Sequence, residues 1–122
     1  MDWSLSERLV KCKGFGWRLG MRATTEDGSH LRLVGHCLHD LWFDELAEEM
    51  IAYDAVDPLP DLNDPATLGC VMQMVWETWF EAIYMEPQTE GGWLAIRPNG
   101  AVIHRTPAPY AETLVIALEA AP

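Results

Sequence analysis

The stretch RLVGHCLHDLWFDELAEEM, Arg32–Met50, governs the reading of this chain, because it joins a strand-like run to a helix-like run through its densest set of chemically capable side chains. His36, Cys37, His39 and Asp40 fall within five residues. Zinc takes four ligands, usually as two spaced pairs. HCLHD offers one pair, and no second C-x-x-C or H-x-x-x-H completes it; His104, Cys12 and Cys70 stand isolated. The cluster therefore reads as a strand-to-helix junction whose polar side chains cap the helix and face water, and neither metal nor cofactor is expected. With Asp40 as N-cap, the spacing predicts a helix to about Tyr53. Trp42, Phe43, Leu46, Ala47, Met50, Ile51 and Tyr53 share one half of the wheel, and Asp44, Glu45, Glu48 and Glu49 share the other.

Upstream, Ser4 and Glu7 stand in capping-box positions for a short helix through Lys13, which Gly14 and Gly16 stop. Met21–Thr25 and His30–His36 flank EDGS and predict a hairpin. Downstream, DAVDPLPDLNDP is a connector, since its prolines resist both helix and central strand. Asp64-Pro65 supplies an N-cap and a favoured first helical residue. The helix they open is expected to reach about Tyr84 or Met85, where Pro87 ends it. Its apolar arc is Leu68, Val71, Met72, Val75, Trp76, Trp79, Phe80 and Ile83, with Cys70 and Met74 embedded on the polar side. Trp93–Arg97 and Ala101–Arg105 around RPNGA predict a second hairpin, and a last helix runs from about Tyr110 to Ala120.

With 122 residues, nearly half of them hydrophobic and six of them Trp, the chain has room for one α+β domain over residues 1–122. The expected fold is a small antiparallel sheet of two hairpins with helices packed against it. No apolar run is long enough to span a bilayer, and the start lacks the order of a signal peptide. The expected location is therefore cytoplasmic, and the odd count of three cysteines fits free thiols there. No Ser lies in G-x-S-x-G, no phosphate loop or calcium loop is present, and no carboxylate pair is singled out for acid–base work. An enzyme is the weaker class.

The formal net charge is −11, and its distribution is uneven. From Leu33 to Ile96 there are thirteen Asp and Glu and not one Lys or Arg, whereas the first 32 residues hold six of the eight basic side chains. Such a surface repels nucleic acid and favours a basic protein partner. The residues expected to meet that partner are Asp44, Glu45, Glu48 and Glu49, with Glu77 and Glu81 as a second row. Self-association into a homo-oligomer through an exposed apolar strip is the alternative, and a metal-binding protein or enzyme centred on His36, Cys37, His39 and His104 is the second alternative.

LPDLNDPATLGCVMQMVWETW, Leu59–Trp79, together with GFGWRLGMR, Gly14–Arg22, and the tail TLVIALEAAP, Thr113–Pro122, resembles small bacteriophage and prophage proteins. In these a D-P-A-T-L-G-C stretch opens an apolar helix, and a Gly-Trp strand and an ALEAAP-like tail follow. The helix–hairpin–helix order is more loosely similar to the phage ABA-sandwich domain. Pro109 departs from the pattern, where a Thr N-cap is expected. The resemblance implies phage origin, a bacterial host cell and a small α+β fold; the matching residues are capping and packing positions, so it carries over no catalytic residue. The expected function is that of an accessory protein which binds a basic host or phage protein, such as a host-defence nuclease it would inhibit.

Overall fold

Asp64 opens the longest helix, and the chain falls into two compact units. The computed structural model describes residues 3–25, 27–36, 40–52 and 58–122. One unit spans Gly16–Cys70; the other holds the residues up to Phe15 together with Val71–Pro122. The α+β class is as expected, although the helices and strands fall into two sets. No helix among the described residues is long and apolar enough to cross a membrane.

The first unit is an antiparallel sheet of β1 (Arg22–Thr24), β2 (His30–Gly35), β3 (Leu41–Asp44), β4 (Glu49–Ala52) and β5 (Leu59–Pro60), in the order β4-β3-β2-β1-β5. The β1–β2 hairpin lies where EDGS predicts it. Strand alternation puts Ala23, Leu31, Leu33 and Trp42 into one buried cluster. Trp17 meets the Trp42 ring edge-on at 5.2 Å, and Ile51 packs against the same cluster.

The expected helix from Asp40 is corrected: it is the hairpin β3–β4, with Trp42 opposite Ile51 and Phe43 opposite Met50. A four-residue loop makes the hairpin symmetric about Leu46–Ala47. The apolar pairs 42/43 and 50/51, eight residues apart, therefore satisfy a helical period and a hairpin mirror alike. Pairing with β2 decides the outcome, because Leu33 already sits opposite Trp42. Tyr53, at the end of that expected helix, lies outside the described residues.

The second unit holds α1 (Trp3–Val10), most of α2 (Pro65–Trp79), the hairpin β6 (Tyr84–Pro87) with β7 (Trp93–Ile96), and α3 (Tyr110–Glu119). Leu9, Val71, Met74, Val75, Ile83, Leu114, Val115 and Leu118 are among its buried apolar side chains, and α3 contacts both α1 and β7. The Trp79 indole N–H donates to the Ala117 carbonyl at 2.8 Å, tying α2 to α3. Two expectations fail here. Met74, placed by the sequence on the polar side, is fully buried, while Trp76 and Phe80 of the expected apolar arc are exposed.

The helix also stops at Trp79 rather than near Tyr84. Phe80 turns left-handed at φ 54°, and the Glu81 N–H reaches back to the Trp76 carbonyl at 3.3 Å. The Trp76 indole then donates to the Ile83 carbonyl at 2.6 Å, and the chain enters β6. β6 is thus the partner of β7. The expected return strand, Ala101–Arg105, reduces to a bridge between Ile96 and Val102, with Pro107 and Pro109 unable to donate to a longer ladder.

Phe80 is 92% exposed, so its ring contributes little packing to offset a left-handed backbone. Phe80→Gly is expected to stabilise the chain by about 0.5–1 kcal/mol. Chemical denaturation checks this as a higher midpoint at unchanged slope.

Candidate protein-binding surface

The β3–β4 turn is fixed from inside by Asp44. Its carboxylate Oδ1 accepts from the Leu46 and Ala47 N–H groups at 3.0 and 3.1 Å, and its carbonyl accepts from the Glu48 N–H at 2.8 Å. This is a single helix-like turn with Asp44 in the capping role that the sequence assigned to Asp40. Glu48 closes it in the left-handed region at φ 54°. Asp44 is buried and is therefore part of the scaffold.

Glu45 begins the other half of the site. Its N–H donates to the His30 carbonyl at 3.0 Å, which aims its side chain at the sheet face carrying Arg22 and Arg32. Arg22 Nη1 donates to Glu45 at 3.3 Å and Arg22 Nε to Asp61 at 2.9 Å. Arg32 Nε donates to Glu45 at 3.1 Å, and its Nη1 donates to Asp64 at 2.7 Å and to the Gly20 carbonyl at 2.8 Å. Two guanidinium groups are thus enclosed by three carboxylates, of which Asp61 and Asp64 are buried.

Asp64 also accepts from the Thr67 N–H and hydroxyl, capping α2, while Thr67 Oγ1 accepts the Arg22 N–H at 2.9 Å. Burial pushes the Asp64 carboxyl up, but hydrogen bonds from Arg32 and Thr67 outweigh that and hold it below the ordinary aspartate range. The hydrogen bond to Asp64 raises Arg32 further despite its partial burial.

What faces water at this end is different in kind. Leu46 is 85% and Met50 53% exposed, and Glu48 and Glu49 are exposed beside them. Of the six expected contact residues, Asp44, Glu45, Glu48 and Glu49 do come together on one hairpin, though on a turn and not on a helix face. Glu77 and Glu81 belong to the other unit. Glu77 is exposed on α2; Glu81 lies beyond the helix end and is paired with Arg97 at 2.9 Å. The sequence missed Leu46 and Met50, which helical periodicity assigned to the buried arc. The signal for them was Asp44-Glu-Leu-Ala-Glu48 read as a capped four-residue loop.

His36 Nδ1 lies 3.0 Å from Asp40 Oδ1 in an exposed pair, and His104 Nδ1 lies 2.9 Å from the Thr106 carbonyl. Cys37 and His39 lie outside the described residues. Among the described residues no group of three or more His, Cys, Asp or Glu is placed to hold a metal ion. Burial raises the thiols of both Cys12 and Cys70, which favours the protonated form over a nucleophilic thiolate. No protein-family model, no curated protein and no solved structure matches the chain.

Asp64→Ala removes a helix cap and half of a buried ion pair, so a loss of about 3 kcal/mol is expected. The pH dependence follows from the lowered folded value. Its stabilisation is fully present above the unfolded aspartate value near 3.9 and is lost as pH falls through the folded value. The gap in denaturation midpoint between the wild type and Asp64→Ala should therefore narrow as pH is lowered from neutral through the unfolded aspartate value.

Proposed function

We propose that this chain is a non-enzymatic protein-binding module that docks the tip of the β3–β4 hairpin onto a partner surface both basic and apolar. The observation that carries this reading is Leu46, an aliphatic side chain 85% exposed on a turn whose backbone Asp44 already fixes. A preorganised loop loses little conformational entropy on binding, and burying a leucine contributes about 1.5–3 kcal/mol. Glu48 and Glu49 beside it add charge selection: they attract Lys and Arg, speed encounter at low salt, and repel phosphate-bearing surfaces. The Glu45 carboxylate is held by Arg22 and Arg32, so the recognition charge rests on Glu48 and Glu49.

The resemblance of Leu59–Trp79 to phage and prophage proteins supports a setting in the cytoplasm of a bacterial host, with the partner a basic host or phage protein. A defence nuclease fits this chemistry, because its nucleic-acid groove is basic and the hairpin offers carboxylates in place of phosphates.

Affinity capture from host lysate at low and high salt, with wild type, Leu46→Asp and the double variant Glu48→Lys/Glu49→Lys, tests the reading. The expected result is one basic protein retained by the wild type at low salt and bound at least about tenfold more weakly by either variant. Undiminished capture by both variants would place the contact elsewhere. A salt-insensitive oligomer of the chain alone, joined along the edge strand β4, would replace this reading with self-assembly.

A further inference from the structure

Three aromatic side chains gather at the chain reversal between α2 and β6 without being buried by it. Trp76 is 44%, Phe80 92% and Tyr84 45% exposed. Phe80 also takes the left-handed backbone, φ 54°, in the position after a helix end where glycine costs least. Its ring touches little of its own fold, so packing does not offset the strain, and unrelieved outliers of this kind mark functional positions.

Hydrogen bonds hold the reversal in shape. The Glu81 N–H donates to the Trp76 carbonyl at 3.3 Å, closing the helix end. The Trp76 indole N–H donates to the Ile83 carbonyl at 2.6 Å, which fixes the ring beside the start of β6. Tyr84 is the first residue of β6 and is held by its pairing with Ile96. All of these residues belong to one compact unit.

The surrounding electrostatics favour a cation. α2 ends at Trp79, so the negative end of its dipole lies here, and its last turn contains no basic side chain. Glu77 is exposed in that same turn, and Glu86 is exposed on the face of β6 that carries Tyr84. The neighbouring Arg97 shows which cation suits these surroundings. Its guanidinium lies 5.3 Å from the centre of the Trp79 ring while its Nε donates to Glu81 at 2.9 Å.

We infer that this surface docks an arginine-bearing segment of another protein, with guanidinium groups laid over the exposed rings. A guanidinium is planar and weakly hydrated and stacks on aromatic faces, whereas an ammonium keeps its water more strongly. The carboxylates beside the rings repel phosphate-bearing surfaces. A second copy of the chain is a poor occupant, because Arg8, Arg22, Arg32 and Arg97 are each held by a carboxylate of their own chain. The hairpin tip of β3–β4 belongs to the other unit and presents a leucine rather than rings, so either surface can fail without the other.

The test titrates the intact chain with a capped peptide carrying two arginines between glycines. Versions with lysine and with citrulline, the uncharged analogue of arginine, serve as controls at matched ionic strength. Nitrogen–proton NMR reads the indole signals, with that of Trp76 assigned from Trp76→Phe. The expected result is saturable displacement of the Trp76 signal by the arginine peptide, about threefold or more tighter than by the lysine peptide, and none by citrulline. Phe80→Gly should weaken binding at least about threefold while raising the denaturation midpoint, which separates lost contact from lost fold. Leu46→Asp, in the other unit, should bind the peptide as the wild type does. No saturable displacement, equal binding of the lysine or citrulline peptide, undiminished binding by Phe80→Gly, or equal loss in Leu46→Asp would each overturn the inference. So would displacement of the Trp76 signal by raising the protein concentration alone, which would make the occupant a second copy.

Discussion

The first unit depends on where the Asp64 carboxylate sits. One side chain takes three jobs: it starts α2 by accepting from Thr67, it neutralises Arg32, and through Thr67 it anchors the backbone of β1 at Arg22. None of these is worth much alone. A cap contributes about 1 kcal/mol and an exposed ion pair less. Sharing them raises what is lost when the carboxylate is removed, because Arg32 and the first turn of α2 lose their partners together. The geometry is also specific. Strand β2 must place Arg32 beside Gly20 and Asp64 at once, which pins its register against β1.

Enclosing Arg22 and Arg32 between Glu45, Asp61 and Asp64 has a second effect, on the far side of the sheet. With that face occupied by a satisfied ionic cluster, the apolar residues of β1–β3 turn to the opposite face and form the Ala23–Leu31–Leu33–Trp42 cluster. Phe43 and Met50 continue the row of Arg22 and Arg32 across β3 and β4, with Phe43 directly opposite Arg32. The sheet face thus changes along one row from ion-paired to apolar, and Met50 is left exposed at its end.

Local signals in the sequence located much of this fold, and the failures share a cause. The Asp64-Pro65 start of α2, the EDGS hairpin and the last helix were readable because capping and turn residues act over three or four positions. The β3–β4 hairpin was not, because its deciding contact, Leu33 opposite Trp42, is between strands, while Trp42, Phe43, Met50 and Ile51 fit a helix equally well. The end of α2 escaped for a similar reason. Phe80 occupies a left-handed position that usually signals itself by glycine, so no local residue announced the stop. The acidic residues were found, but their roles were not: Asp44 and Glu45 look like Glu48 and Glu49 in sequence, and only the fold divides them into scaffold and surface.

That division changes the meaning of the net charge. Arg22 and Arg32 are enclosed by carboxylates, Arg97 lies over the Trp79 ring and pairs with Glu81, and Arg8 pairs with Glu119. Carboxylates that hold guanidinium groups present little field to a partner, whatever their number. The field that a partner meets comes from charges left over after these pairings, among them Glu48 and Glu49 on the hairpin and Lys11 and Lys13 on the loop after α1. These pairs have opposite sign and belong to different compact units. A uniformly acidic chain would bind basic surfaces indiscriminately. One whose arginines are internally matched leaves unpaired charge at a few places, and at the hairpin that charge stands beside an exposed leucine on a fixed turn.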